Sequence, residues 1–160
     1  MKKYEPTREH LWLARLVGEW TWSHDVEPTE TTKVTRLEGT ESYRAVGPFW
    51  VVGESVGSMP DGDLHVSLTT LGWDPGKGRF VGTWIGSSMP VLWAYDGELD
   101  EAGRSLSLYS DGPAMDGSDA VIPYRDVMTF VDDNTRTLTA CTKDAGGQWT
   151  EFMHVEYRRR

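Results

Sequence analysis

The sequence predicts an all-β protein: a single antiparallel β-barrel of about ten strands with one short N-terminal helix that closes an end. Three observations lead to this fold class. Apolar residues follow a helical period only before Gly18, the period then changes to two, and dense turn signals divide the rest of the chain. Turns this short join antiparallel neighbours, and a long meander closes on itself because closure removes its exposed edges.

The predicted helix lies within residues 1–18. Thr7 is a candidate N-cap, Glu9 follows in the first turn, and Gly18 stands where the helix should end. Four apolar residues between these signals share one helical face: Trp12, Leu13, Leu16 and Val17. A single apolar face must pack on something, and the end of the barrel is the available surface. We therefore expect one domain over residues 1–160, with the barrel in residues 19–158.

Ten segments alternate apolar and polar residues and are separated by turn clusters rich in Gly, Pro, Asp and Asn. They are Glu19–Val26, Arg36–Val46, Phe49–Gly57, Leu64–Asp74, Gly78–Gly86, Leu92–Leu99, Ser105–Ser110, Tyr124–Val131, Thr135–Thr142 and Trp149–Arg158. Two longer connections, Pro28–Lys33 and Asp111–Pro123, are predicted as loops.

Composition excludes several classes of function. The net charge of −9 leaves no basic surface for a phosphate backbone, so we expect no nucleic-acid partner. No apolar run reaches membrane-spanning length, and residues 1–15 lack the apolar core of a secretory signal. Cys141 is the only cysteine, which suits a reducing compartment. These features predict a cytoplasmic protein, and a homodimer is the default expectation for its assembly.

Gly18-Glu19-Trp20 resembles the G-x-W signature that opens lipocalins and their calycin relatives. In those barrels the Trp packs near the closed end and a basic residue of the last strand lies over it. The resemblance therefore implies that Arg158, or alternatively Arg159, covers Trp20.

The chain also resembles an uncharacterised bacterial family, domain of unknown function 1579. The matching stretches are Leu16–Trp20, Gly39–Glu41, Leu71–Pro75, Arg79–Trp84, Leu92–Gly97 and Tyr124–Asp126. They follow in order along nearly the whole chain, so the likeness implies full-length homology. It implies a lipocalin-like barrel and no particular activity.

Polar residues inside strand segments are the candidate ligand-binding groups, because a charge directed into a barrel is costly unless it is paired. If Glu41, Glu54 and Arg125 face inward, they form a polar floor, and Arg125 would anchor an acidic or carbonyl group of the ligand. The aromatic residues that would line the site above this floor are Trp22, Tyr43, Trp50, Trp84, Trp93 and Tyr95. The alternative places these charges outside, since half of all strand positions face solvent.

No motif in the chain predicts catalysis or a metal site. Gly53-Glu54-Ser55-Val56-Gly57 has the letters of a hydrolase elbow but lies within a strand. The four histidines, His10, His24, His65 and His154, show no local metal-ligand spacing, and His24 is the best interior candidate. We expect no cofactor, with haem ligation by one histidine as a minor alternative.

We therefore expect a non-enzymatic protein that binds a small hydrophobic or amphipathic molecule inside the barrel. Two alternatives stay open. One is a small enzyme of the isomerase, cyclase or decarboxylase type, with Glu54 or Glu41 as general base beside an Arg. The other is a barrel filled with side chains that serves as an interaction module.

Overall fold

The computed structural model describes residues 1–160 and confirms the predicted fold class. Ten antiparallel strands form a closed barrel in which each strand pairs with its neighbour along the chain and the first strand pairs with the last. The elements are α1 (Arg8–Ala14), β1 (Gly18–Asp25), β2 (Arg36–Val46), β3 (Trp50–Ser58), β4 (Leu64–Asp74), β5 (Arg79–Gly86), β6 (Met89–Leu99), β7 (Ser105–Pro113), β8 (Val121–Asp132), β9 (Thr135–Lys143) and β10 (Trp149–Arg159).

The helix begins where Thr7 predicts, and the backbone N–H of Thr7 donates to Nδ1 of His10 at 2.9 Å. It ends at Ala14, earlier than the apolar pattern indicates. The reason is that the N–H groups of Arg15 and Leu16 bond to carbonyls three residues back, which tightens the last turn. No helix in the structure has the length and apolar character needed to span a bilayer.

Helix α1 covers one end of the barrel, which we call the helix end. Trp12 packs edge-on against Phe80 and Phe130, with ring centroids 6.3 and 5.2 Å apart, and its Nε1 donates to the carbonyl of Gly103 at 2.9 Å. The opposite end, formed by the loops 26–35, 59–63, 87–88, 114–120 and 144–148, is called the loop end.

Inward side chains near the helix end form the hydrophobic core. Trp20 and Phe80 are fully buried, at 0% exposure, and pack with Leu71, Leu106 and Phe130. Burying these side chains contributes roughly 1.5–3 kcal/mol each. The barrel is therefore filled at this end.

Strands β7 and β8 are longer than the sequence predicts. β7 continues to Pro113 and β8 begins at Val121, so the predicted loop Asp111–Pro123 contracts to residues 114–120. Asp111 pairs with Pro123 in this extension. Proline and glycine indicate a turn in sequence, and here the extended hairpin overrides that local preference.

Candidate functional site

Several large inward side chains in the loop half of the barrel are less buried than those at the helix end. Trp22, Trp84, Trp93 and Tyr95 all face inward by register, yet each remains half-buried rather than fully buried. These residues therefore border the loop-end mouth of the barrel, and we call the space between them the lumen. The lumen lies above the core and opens towards the loop end.

Inward glycines let the large rings lie flat against the wall. The ring of Trp22 covers Gly39 and Gly57 on the next two strands, and a Cβ at either glycine would overlap that ring. Trp93 covers Gly112 in the same way. Two further pairs share this arrangement: Trp84 on Gly86, and Tyr43 on Gly53. The rings therefore occupy space that side chains at these glycine positions would fill.

A hydrogen-bonded pair, Tyr95 and Asp126, lies at the base of the lumen. The hydroxyl of Tyr95 donates to Oδ2 of Asp126 at 2.7 Å. Burial raises the pKa of Asp126, and the hydrogen bond from Tyr95 opposes the rise. Burial and the nearby Asp126 charge also raise the pKa of Tyr95 well above its usual value. This pair can bind a hydrogen-bond donor or a cation.

An ion pair between Glu41 and Arg136 lies next to these residues. Arg136 donates to Oε1 of Glu41, and the two residues are 1% and 6% exposed. The guanidinium lies between aromatic faces, 3.8 Å from the ring centroid of Tyr157 and 4.5 Å from that of Trp20. Its Nε and Nη1 have no hydrogen-bond partner, so these ring faces are their surroundings.

Burial has a clear electrostatic effect on this cluster. It raises the pKa of Glu41, and contact with Arg136 opposes the rise. It also raises the pKa values of Tyr43 and Tyr157 well above that of a free phenol. Both phenols therefore stay neutral over the physiological range and can act only as hydrogen-bonding groups.

Arg159, rather than Arg158, covers the signature Trp20. Arg159 faces inward opposite Trp20, and its guanidinium carbon lies 4.2 Å from the ring centroid. The preferred assignment of Arg158 is wrong because Arg158 pairs with the outward Thr21 and is exposed. Gly18 begins β1 with a φ of 135°, where a Cβ would meet the Arg159 guanidinium.

Three of the candidate site residues face outward. Trp50 is 44% exposed and covers Gly72 on the outer surface, and Glu54 is exposed on the same strand face. Arg125 pairs with the outward Cys141 and lies 4.9 Å from the ring centroid of Trp149. The polar floor predicted from Glu41, Glu54 and Arg125 is therefore wrong for its second and third members.

Asp126 and Arg136 take the places that the prediction gave to Glu54 and Arg125. The sequence prediction assigned neither Asp126 nor Arg136 to the site. Strand parity could have placed both, because Asp126 alternates with Tyr124 and Met128, and Arg136 shares a strand face with Leu138.

The histidines do not converge. His24 and His65 face inward near the loop end, where they stack on Trp22 and Trp84 at centroid distances of 6.1 and 6.0 Å. Burial lowers the pKa of His24. His154 faces outward. No three His, Cys, Asp or Glu side chains in residues 1–160 are grouped as metal ligands.

Two hollows on the outer surface are poorer candidates than the lumen. One, of about 280 Å³, lies beside α1 between Arg8, Leu11 and Leu99, and the other, of about 260 Å³, lies beside β1 and Arg158. The second has one apolar side chain in its lining. Small-molecule sites are typically concave and mostly apolar.

Solved structures with the same fold support the barrel assignment. Rv2717c from M. tuberculosis is 14% identical with a TM-score of 0.64, over 98% of this chain and 99% of that chain. The S-type phycobiliprotein lyase CPES from Guillardia theta is 13% identical with a TM-score of 0.57, over 97% and 98% of the two chains. EF1p2_mFAP2b, solved with DFHBI bound, is 11% identical with a TM-score of 0.50, over 95% and 99%.

A comparison with curated proteins finds no match. At these identities the solved structures establish the fold alone. The family model described as "Protein of unknown function (DUF1579)" matches residues 5–159, which is nearly the whole chain. The chain therefore belongs to the DUF1579 family, as its sequence motifs indicate.

Proposed function

We propose that this protein binds a small, partly apolar molecule in the loop half of its barrel. The observation that carries the proposal is the contrast between the two halves. Trp20 and Phe80 are fully buried at the helix end, whereas the inward Trp22, Trp84 and Trp93 keep exposed surface towards the loop end. Aromatic walls above a few polar groups are the usual composition of a ligand site.

The structural neighbours support this proposal at the level of ligand class. EF1p2_mFAP2b holds the small molecule DFHBI, and CPES is a phycobiliprotein lyase. Both share the barrel architecture with this chain. A barrel of this kind can therefore serve small-molecule chemistry, and the lumen of this chain has suitable walls.

Catalysis in the same lumen is the second candidate, and Asp126 is the residue that favours it. Burial raises its pKa, which strengthens the carboxylate as a general base, and the neutral Tyr95 beside it donates a hydrogen bond to it. Of the two predicted bases, Glu54 lies outside the barrel and Glu41 is paired with Arg136. A bound molecule that is recovered unchanged supports binding, and a converted one supports catalysis.

The first test is native mass spectrometry of protein purified without added ligand, repeated after denaturation and combined with an absorption spectrum. We expect an extra mass that is lost on denaturation. A visible absorption band would identify haem or another pigment as the occupant. If the protein carries no extra mass, it is titrated by calorimetry with 1-naphthalenemethanol, a neutral two-ring probe.

A matched pair of variants locates the bound molecule. Ser55 faces inward between Glu41 and Ser67, so Ser55→Phe places a ring in the lumen, whereas Val56→Phe places one on the outer surface. We expect Ser55→Phe to abolish binding and Val56→Phe to preserve it. Equal binding by the two variants, or no binding by the unmodified protein to any occupant or probe, would refute the proposal.

A further inference from the structure

We propose that the molecule bound in the lumen is an organic cation that carries an aromatic or similarly flat apolar group. This inference rests on the proposed function and specifies its ligand class. It is carried by the position of the Asp126 carboxylate below aromatic side chains, and by the charges of the other inward residues.

The carboxylate and the aromatic faces meet across strand β7. Trp93 and Tyr95 project from β6, and Tyr124 and Asp126 project from β8. Between them β7 contributes Gly112, Ser110 and Leu108. The rings of Trp93 and Tyr124 make an edge contact with centroids 4.9 Å apart. Two residues further into the barrel on the same strand faces, Tyr95 donates to Asp126. The aromatic pair therefore lies directly above the hydrogen-bonded pair.

Asp126 is the only inward carboxylate of the lumen without a cationic partner. The charge of Glu41 is matched by the Arg136 guanidinium in direct contact. Arg159 faces inward only at the helix end, where it donates to the carbonyls of Arg15 and Val17. A buried carboxylate without a counter-ion is costly, and a cationic ligand removes that cost.

The free oxygen of Asp126 points to the same ligand class. Oδ2 accepts the hydrogen bond from Tyr95, and Oδ1 has no protein partner and is not sealed from the lumen. Trp93 is the next inward residue from Tyr95 towards the loop end on β6, and indole faces attract cations more strongly than other rings do. An anionic ligand would find repulsion from Asp126 at the same place.

The overall charge of the protein favours this choice of ligand. A net charge of −9 raises the local concentration of cations around the barrel and repels anions. Long-range attraction does not define a site by itself. Here the net charge of the protein has the same sign as the unpaired charge of Asp126 inside the barrel.

The test compares three two-ring probes of similar size by calorimetry: 1-methylquinolinium, 1-naphthalenemethanol and 1-naphthoate. We expect the cation to bind about tenfold or more tightly than the neutral alcohol, and the anion to bind most weakly. Asp126→Asn keeps the size of the side chain and removes its charge. This variant should bind the cation and the alcohol with affinities within about threefold of each other.

Asp111→Asn is the matched control, because Asp111 is exposed on the outer face of β7 and its loss changes the net charge equally. It should keep the preference for the cation. If Ser55→Phe blocks binding but the alcohol or the anion binds best, the lumen is a site and the cationic class is wrong. If none of the probes binds the unmodified protein, the proposed function fails as well.

Discussion

Replacing Arg159 by Ala should destabilise the barrel at its helix end. The guanidinium donates to the carbonyls of Val17 and Arg15 at 2.9 Å, donates to that of Asp133 at 3.0 and 3.1 Å, and stacks on Trp20. With about 0.5–1.5 kcal/mol for each of the three carbonyls that lose their donor and about 0.5–1 kcal/mol for the cation–π contact, we expect a loss of about 2–5.5 kcal/mol. Urea denaturation monitored by tryptophan fluorescence measures it.

The neighbouring Arg158 provides the control, because it carries the same charge one residue away and faces outward. Arg158→Ala should change the free energy of unfolding by no more than about 0.5 kcal/mol. A double-mutant cycle of Arg159→Ala with Trp20→Leu should show a coupling of about 0.5–1 kcal/mol. An Arg158→Ala loss equal to that of Arg159→Ala would refute the register on which this reasoning depends.

Three further substitutions test the interior. Gly57→Ala should lower the free energy of unfolding by about 1–3 kcal/mol because a Cβ overlaps the Trp22 ring. When Trp22→Leu is added, denaturation of the double variant should show most of that loss removed. Arg136→Met should lower the free energy of unfolding by about 3–5 kcal/mol because it leaves Glu41 buried and unpaired. Adding Glu41→Gln should restore part of the stability in urea melts. No recovery would contradict the ion-pair explanation. Asp126→Asn should raise the free energy of unfolding most at pH 7, because the carboxyl is then ionised and its burial is unfavourable. The gain should shrink as the pH falls through the raised pKa of Asp126 towards the ordinary value of about 3.8, and stay constant below it. Melts at several pH values check this, with a pH-independent difference as the contrary result.

The other groups near Asp126 affect how the pH series is interpreted. Tyr95 and Tyr157 are neutral over this range because burial raises their pKa values well above that of a free phenol. Glu41 also titrates from a raised pKa and faces Arg136. Since Asp126→Asn leaves that ion pair intact, the difference between the two proteins isolates the Asp126 contribution.

The number and order of the strands were predictable because turn residues mark every hairpin. Which face of β3 lies inside the barrel was not predictable from the sequence. Trp50, Val52 and Glu54 do share one face, as parity requires, but that face is outside. The inner face carries the small residues Gly53 and Gly57, because rings from β1 and β2 cover them. The hydrophobicity of β3 alone therefore indicated the wrong inner face, and contacts with the neighbouring strands explain the observed one.

The assignment of the basic residue over Trp20 failed for a related reason. Arg158 and Arg159 are adjacent in sequence, so a shift of one residue in register exchanges inside and outside. A β-bulge between Glu151 and Met153 changes the parity of β10, and no residue in the sequence marks it as a bulge. The Glu41–Arg136 pair depends on contacts between distant strands, which a single sequence does not display.

The pairing of β1 with β10 has a consequence for the order of events during synthesis. Arg159 bonds to carbonyls 142 and 144 residues earlier in the chain, so the helix end cannot be completed until the last strand has left the ribosome. Until then β1 and β9 each expose an unpaired edge, which is a site for wrong pairing. Contacts so distant in sequence also form slowly. A nascent chain that stalls before Trp149 should therefore depend on chaperones, although nine of its ten strands are already made.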